Sequence, residues 1–463
     1  MTFRKTNKAD LAKTLEAHCD EIQFLTGDRH TETAYIIDAM VYLQALNETH
    51  FNTFDDLGYR VLQQMGMLMT GELAVTSVTL VFDRYDNPDS IKQMEQARLE
   101  AGETTPTYVI QGSNKVPNYR NFLKSYKNKA TLVEFLCNYI MLNGPAMLED
   151  GQSIILAGGL KDGKDVKVVQ HSGVTDSPEL ASTHGADTRM VLHTISLADK
   201  YSRIIVQCDD TDVLVLLIHY CGKGMFGNSS VYMHAGHASK DTNHQRFIPV
   251  SSETAKIGEE VSHCLPASHA LSGCDSTSSL FKIGKRTAYT KLEQNINDLL
   301  SLGELGHSRD IAEVFPTRVK YALLMYGAKG KSCNSLDQLL YTYACTIDKA
   351  ASLFPPTDDA FKQHVCRANY QVAIWINSHV AKPQLWQPEG NGWIMKEGRL
   401  EPVYYEKDAA PKEVRDLTHL YCLDEECTPS KTCQCVPTGL PCTDICSCNG
   451  LDCPNADAGC III

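Results

Sequence analysis

Three β-branched runs in the first half of the chain end in aspartate. Thr33-Ala-Tyr-Ile-Ile37 runs into Asp38, Ser77-Val-Thr-Leu-Val-Phe82 runs into Asp83, and Ser202-Arg-Ile-Ile-Val-Gln207 is followed after one residue by Asp209, Asp210 and Asp212. Short apolar runs that alternate with helical periodicity predict an α/β fold, a mostly parallel sheet flanked by helices. In open sheets of this kind ligands bind outside the carboxyl ends of the strands, so acids at those ends share one crevice. The pattern constrains the fold and the place of its site together.

The chain has 463 residues, 43% of them hydrophobic, which is enough for two or three domains with a sizeable core. No apolar run approaches the roughly 18 residues of a membrane span. The opening Met1-Thr-Phe-Arg-Lys-Thr-Asn-Lys8 also lacks the apolar stretch of a secretory signal. The expectation is a soluble intracellular protein with no membrane partner. A net charge of −13 argues against a protein that coats nucleic acid non-specifically, although metal-ligating carboxylates enter that sum as bare charges.

The periodicity predicts an α/β domain over 1–300, a helical extension over 301–385, a linker over 386–415 and a cysteine-rich module over 416–463. Ser153 to Leu160 and Val166 to Gln170 flank a turn-rich segment and read as a hairpin; Ser230 to His234 and Arg246 to Val250 suggest another.

Asp38, Asp83, Asp187, Asp210, Asp212 and Asp275 are the acids that carry chemistry. Phosphodiester hydrolysis with two metals needs ions about 4 Å apart, held by hard carboxylate oxygens from several elements. Without a cation, packed carboxylates raise one another's pKa, so such a cluster makes poor architecture. Three of these acids also have a local reading: Asp38 and Asp210 as helix caps, Asp83 as the opening of a turn.

Two basic segments could meet a phosphate. Ile283-Gly-Lys-Arg286 offers backbone amides and two cations next to Asp275. Gly112 to Lys129 carries Lys115, Arg120, Lys124, Lys127 and Lys129 without an acid, interleaved with Tyr119, Phe122 and Tyr126. It reads either as stacking surfaces for bases or as a helix with a solvated basic face. Of the 18 cysteines, nine crowd the tail: Cys422, Cys427, Cys433, Cys435, Cys442, Cys446, Cys448, Cys453 and Cys460. Three tetrahedral zinc ions sharing three bridging thiolates use nine cysteines, and so short a segment has little other core.

Ile36-Ile-Asp38-Ala, Val81-Phe-Asp83 with Pro88, Lys92, Glu95 and Arg98 behind it, Gly185-Ala-Asp187, Asp210-Thr-Asp212, Leu271-Ser-Gly-Cys-Asp275 and Lys282-Ile-Gly-Lys-Arg-Thr-Ala288 stand in one order. That order resembles the flap-endonuclease and related 5′-nuclease superfamily over roughly residues 30 to 295. The resemblance implies a PIN-like fold whose helix-two-turn-helix lies around 282–288. It implies one or two Mg²⁺ or Mn²⁺ ions on the six aspartates, with Lys92, Arg98, Lys124, Lys127, Lys282, Lys285 and Arg286 on substrate phosphates. Where the superfamily has a glutamate this chain has Gly185, with His184 beside it. The tail resembles tesmin-like CXC zinc motifs, some of which bind DNA. The whole arrangement is similar to uncharacterised mobile-element-associated animal proteins. The function so implied is nuclear, metal-dependent phosphodiester hydrolysis on nucleic acid, with DNA ahead of RNA. The alternative is an inactive, domesticated binding module whose zinc tail recruits protein partners.

Overall fold

Alternation along Thr33–Asp38 sends Ala34 and Ile36 to one face and Tyr35 and Ile37 to the other, each into its own apolar core. This strand, β1, is central to an eight-stranded sheet. The structure, a computed structural model, describes residues 4–17, 31–47, 50–84, 91, 105–160, 165–236, 245–346 and 354–407. The other strands are β2 (Val75–Val81), β3 (Ser153–Ala157), β4 (Val166–Gln170), β5 (Gly173–Asp176), β6 (Arg203–Gln207), β7 (Ser230–Ala235) and β8 (Arg246–Pro249). Their order is β5-β4-β3-β2-β1-β6-β7-β8. β3, β2, β1, β6 and β7 run parallel, whereas β4, β5 and β8 are antiparallel edges. Both expected hairpin pairings, β3 with β4 and β7 with β8, are present. The chain builds outward from β1 to β2 and β3 on one side and to β6 and β7 on the other, so the switch point lies between β1 and β6.

The longer helices are α1 (Ala9–Glu16), α2 (Ala39–Ala45), α3 (Phe54–Thr70), α4 (Tyr126–Asn143), α5 (Ala186–Ala198), α6 (Thr211–Gly222), α7 (Val250–Ile257) and α8 (Glu259–Leu271). They continue with α9 (Lys285–Gln294), α10 (Phe315–Met325), α11 (Leu336–Thr346) and α12 (Asp358–Ile376). α2, α3 and α4 cover one face of the sheet. α5 and α6 cover the other. In α6 Val213 to Ile218 are all buried, because α8 packs over the side turned away from the sheet. This layering explains why Thr-Asp-Val-Leu-Val-Leu-Leu-Ile lacks a polar face.

The stretch expected as a linker carries a hairpin, β9 (Trp393–Lys396) with β10 (Arg399–Pro402). Trp393 and Leu400 bury themselves with Ile91 and Tyr370, which ties this segment to α12. The compact unit containing all these elements ends at Tyr404. Among the described residues no helix is long and apolar enough to cross a membrane.

Candidate metal centre

β1 and β6 each hand their terminal acid to a following helix. Asp38 is the N-cap of α2, its Oδ1 accepting from the Met40 and Val41 amides at 3.0 and 3.1 Å. Asp210 is the N-cap of α6, its Oδ1 accepting from the Asp212 amide at 2.9 Å. Short carboxylates suit these positions because the first amides of a helix have no partner within it. The local reading and the chemical one therefore hold at once: each cap fixes its carboxylate at a strand end. Asp83, just past β2, is exposed, and its Oδ1 accepts from the Ala186 amide of α5 at 3.4 Å. It does so across the crevice, since Gly185 has no side chain with which to cap its own helix. Asp187 and Asp212 occupy first helical turns, where the macrodipole favours negative charge.

The last acid comes from the turn after α8. Gly273 adopts φ +105°, and a Cβ there would stand 2.9 Å from the Ser279 backbone, so glycine is needed. Thr277 Oγ1 donates to the Ala270 carbonyl at 2.6 Å, and the Cys274 amide donates to Thr277 Oγ1 at 3.0 Å. This closed turn holds Asp275 toward α6.

Oxygen atoms of Asp187, Asp210 and Asp212 lie within 4.8 Å of one another. Burial, and then the nearby Asp83 and Asp187, push the Asp38 carboxyl up to about 7 against its two backbone bonds. Burial with Asp212 and Asp187 likewise pushes Asp210 up to about 7. Of the six acids, Asp187, Asp210 and Asp212 converge, Asp275 joins Asp210 and Asp212 through Lys8, and Asp38 feels the charges of Asp83 and Asp187. Their donor set is entirely carboxylate, which suits Mg²⁺ or Mn²⁺ rather than a softer ion. A hard divalent cation fits the residues present.

Lys8, at the head of α1, reaches into this cluster. Its Nζ lies 2.9 Å from Asp275 Oδ1, 3.1 Å from Asp212 Oδ1 and 3.3 Å from Asp210 Oδ1. Burial opposes its charge, but the three carboxylates outweigh that and hold the ammonium well above the usual lysine range. Behind Asp212 stands a buried relay. His269 Nε2 is 2.8 Å from Asp212 Oδ1, and Lys285 Nζ is 2.9 Å from His269 Nδ1. Burial drives the imidazole well below its ordinary range, so it is neutral, donating from Nε2 to the carboxylate and accepting at Nδ1.

Lys285 therefore corrects an expectation. It does not face a phosphate: its side chain is 1% exposed, and Nζ also donates to the His269 carbonyl at 2.6 Å and to Ser272 Oγ at 3.0 Å. Burial pulls its ammonium down to about 7. Lys282 and Arg286, on either side, are exposed. In the basic aromatic window Tyr119 and Phe122 are core residues, with Tyr119 donating to the Leu43 carbonyl at 3.0 Å, so they are not stacking surfaces. Lys124 and Lys127 are exposed, and Tyr126 is half-buried with Lys129 Nζ 5.2 Å from its ring centroid. His184 offers no substitute for the missing glutamate, because its buried ring turns away to the Val380 carbonyl at 2.7 Å. Lys92, Arg98 and the nine tail cysteines lie outside the described residues.

Sequence reasoning missed Lys8, His269 and Arg189. Arg189 is fully buried and donates to the carbonyls of Phe82, Ala157 and Ser182 at 3.0 to 3.3 Å, which clamps the ends of β2 and β3 beside Asp83. Gly158 leaves it room, since a Cβ there would meet Nη1 at 1.9 Å.

No protein-family profile and no curated protein matches the chain. Two solved structures of the catalytic core of Rad2 in complex with DNA substrate overlap it loosely. One has 13% identity and a TM-score of 0.33 over 80% of this chain and 85% of the other. The second has 12% identity and a TM-score of 0.35 over 82% and 90%. At that level the overlap is a general outline and no more.

Proposed function

We propose that this chain binds nucleic acid and hydrolyses its phosphodiester bonds with the help of a divalent cation. The observation that supports this most is the convergence of Asp187, Asp210 and Asp212 within 4.8 Å at the switch point of the sheet, where open α/β folds bind ligands. Mg²⁺ or Mn²⁺ held within the cluster that these three form with Asp38, Asp83 and Asp275 would supply charge stabilisation at the phosphate and activation of water. The chain's own residues do the rest. Lys282 and Arg286, exposed at the start of α9, engage backbone phosphates beside Asp275, and Lys124 and Lys127 extend the contact from the opposite core. The relay from Lys285 through His269 fixes the orientation of Asp212. The nine tail cysteines bind zinc as a separate module, three ions per chain.

The test is cleavage of labelled flap, hairpin and single-stranded DNA and RNA in Mn²⁺ by the wild type and by Asp212→Asn. Cleavage that the substitution reduces at least about a thousandfold is expected. A wild type inert on every substrate would overturn the hydrolase reading. Gly185 and the ammonium of Lys8 favour one alternative, a module that binds without cutting, and retained nucleic-acid binding by the inert wild type would identify it. Fewer than two zinc ions per purified chain would overturn the tail assignment.

A further inference from the structure

Lys8 stands where a cation belongs. An ammonium has three hydrogens to donate, and Nζ finds three carboxylates, those of Asp275, Asp212 and Asp210, at 2.9, 3.1 and 3.3 Å. A divalent ion binds carboxylate oxygens at about 2.0 to 2.6 Å, so it cannot share these three oxygens with Nζ. We infer that Lys8 is a resident monovalent cation that takes the place of one divalent ion in this cluster. The site then accepts one Mg²⁺ or Mn²⁺ and not two, with Asp187, the acid of the close group that Lys8 does not touch, among its ligands. This rests on the divalent-metal reading above.

The segment carrying Lys8 is built in, not draped over the site. The Arg4 amide donates to Ser278 Oγ at 3.0 Å, and the Ser279 amide donates to the Arg4 carbonyl at 2.8 Å. Ser279 Oγ lies 3.1 Å from the Lys5 carbonyl, and the Arg4 guanidinium sits 4.4 Å from the Phe281 ring centroid. These bonds tie residues 4 and 5 to the very loop that supplies Asp275. Downstream, Leu11 and Leu15 are buried in the main core. Glu16 closes α1 with a two-pronged ion pair to Arg246, at 2.6 and 2.7 Å. With both ends fixed, little side-chain freedom is left to lose when Nζ enters the cluster. A lysine that met three acids by chance on a surface would lack this support.

The position has a chemical consequence. An ammonium brings one unit of charge where a divalent ion brings two, and it has no open coordination position for water or phosphate. The flank it fills can neutralise charge but cannot act as a Lewis acid.

Counting bound Mn²⁺ on the full, zinc-supplemented chain by equilibrium dialysis and electron paramagnetic resonance tests this directly. Thiolates bind Mn²⁺ poorly, so the tail does not obscure the count. One Mn²⁺ per chain is expected in the wild type and two in Lys8→Met, which keeps the apolar stem. If Lys8→Met does not fold, Lys8→Gln, neutral but still a hydrogen-bond donor, should show the same gain of one. Equal numbers in wild type and folded variant would overturn the inference and leave the metal reading standing. No Mn²⁺ on either protein would overturn both.

Discussion

The two flanks of the acidic cluster hold their charge by different means. On one, Asp38 takes two amides of α2 and Asp83 takes an amide of α5. On the other, Asp210, Asp212 and Asp275 share the ammonium of Lys8, and Asp212 adds a histidine backed by Lys285. Amides orient a carboxylate and leave its net charge in place, whereas an ammonium cancels it. One flank thus keeps its negative charge and the other carries its own cation. Six aspartates in the right order do not by themselves specify how many metal ions a site takes.

The pH dependence of stability should break this comparison most forcefully, because burial moves Asp38 and Lys285 in opposite directions to nearly the same place. An acid raised from an ordinary value near 4 loses stability as pH climbs from about 4 to about 7, since the unfolded chain ionises first. A base lowered from about 10.4 gains stability as pH climbs from about 7 to about 10.4, where only the unfolded chain still holds the proton. Denaturant titrations at a series of pH values would show both. Wild type minus Asp38→Asn should fall over the acid range and level above it, and wild type minus Lys285→Met should rise over the alkaline range. Two flat difference curves would remove the electrostatic contrast between the flanks.

Lys285 and Arg286 sharpen the contrast within a single turn. Lys285→Met takes the donor from buried His269 Nδ1 and removes one bond each from the His269 carbonyl and the Ser272 hydroxyl, and at pH 7 it should cost about 3 kcal/mol. Arg286→Ala, at an exposed position, should stay within about 0.5 kcal/mol of wild type and instead weaken nucleic-acid binding. Urea unfolding of the pair, with a filter-binding assay, separates the two roles. Equal stability losses would mean that Lys285 is not the buried support described here.

Gly185→Glu probes the amide-held flank next. An added Cβ at Gly185 meets nothing within 4 Å, and its φ of −72° suits any residue. The new carboxylate should tighten Mn²⁺ binding about tenfold, or about 1.4 kcal/mol, at little cost in stability. Calorimetric titration with Mn²⁺ checks it. Unchanged affinity would place the ion away from the head of α5.

What the sequence revealed of this arrangement, and what it hid, follows from range. Strand-end acids are local: Asp38 and Asp210 declare themselves by the apolar run before them and the helix after, and both sit at the expected ends. The paired edges were legible for the same reason. Lys8 meets Asp210 and Asp212 from more than 200 residues away, and no spacing encodes that meeting. Arg189 hides inside an ordinary helical pattern, although a buried arginine under strand ends leaves a trace in the glycine that makes room for it. Lys285 was readable and misread. Lys285, Ala288, Tyr289 and Leu292 recur at three- and four-residue spacing and share the buried face of α9, so helical period outweighed the look of a Gly-Lys-Arg turn. Trp393 and Leu400 were likewise a core signal inside a stretch rich in turn residues.

The smallest effect separates the two duties of a single carboxylate. Asp38 caps α2 through Oδ1, while its charge belongs to the cluster. Asparagine keeps an acceptor oxygen at that position and loses the charge; alanine loses both. Asp38→Asn should therefore be about 1 kcal/mol more stable than Asp38→Ala, the usual difference made by a cap. The two should bind Mn²⁺ equally poorly, because neither supplies a carboxylate oxygen to a hard cation. Thermal unfolding and Mn²⁺ titration of this pair read the duties apart. Equal stability would show that the α2 amides do not depend on Asp38. Wild-type Mn²⁺ affinity in Asp38→Asn would show that this flank holds its ion without it, leaving Asp187 and its neighbours across the switch point to bind the metal.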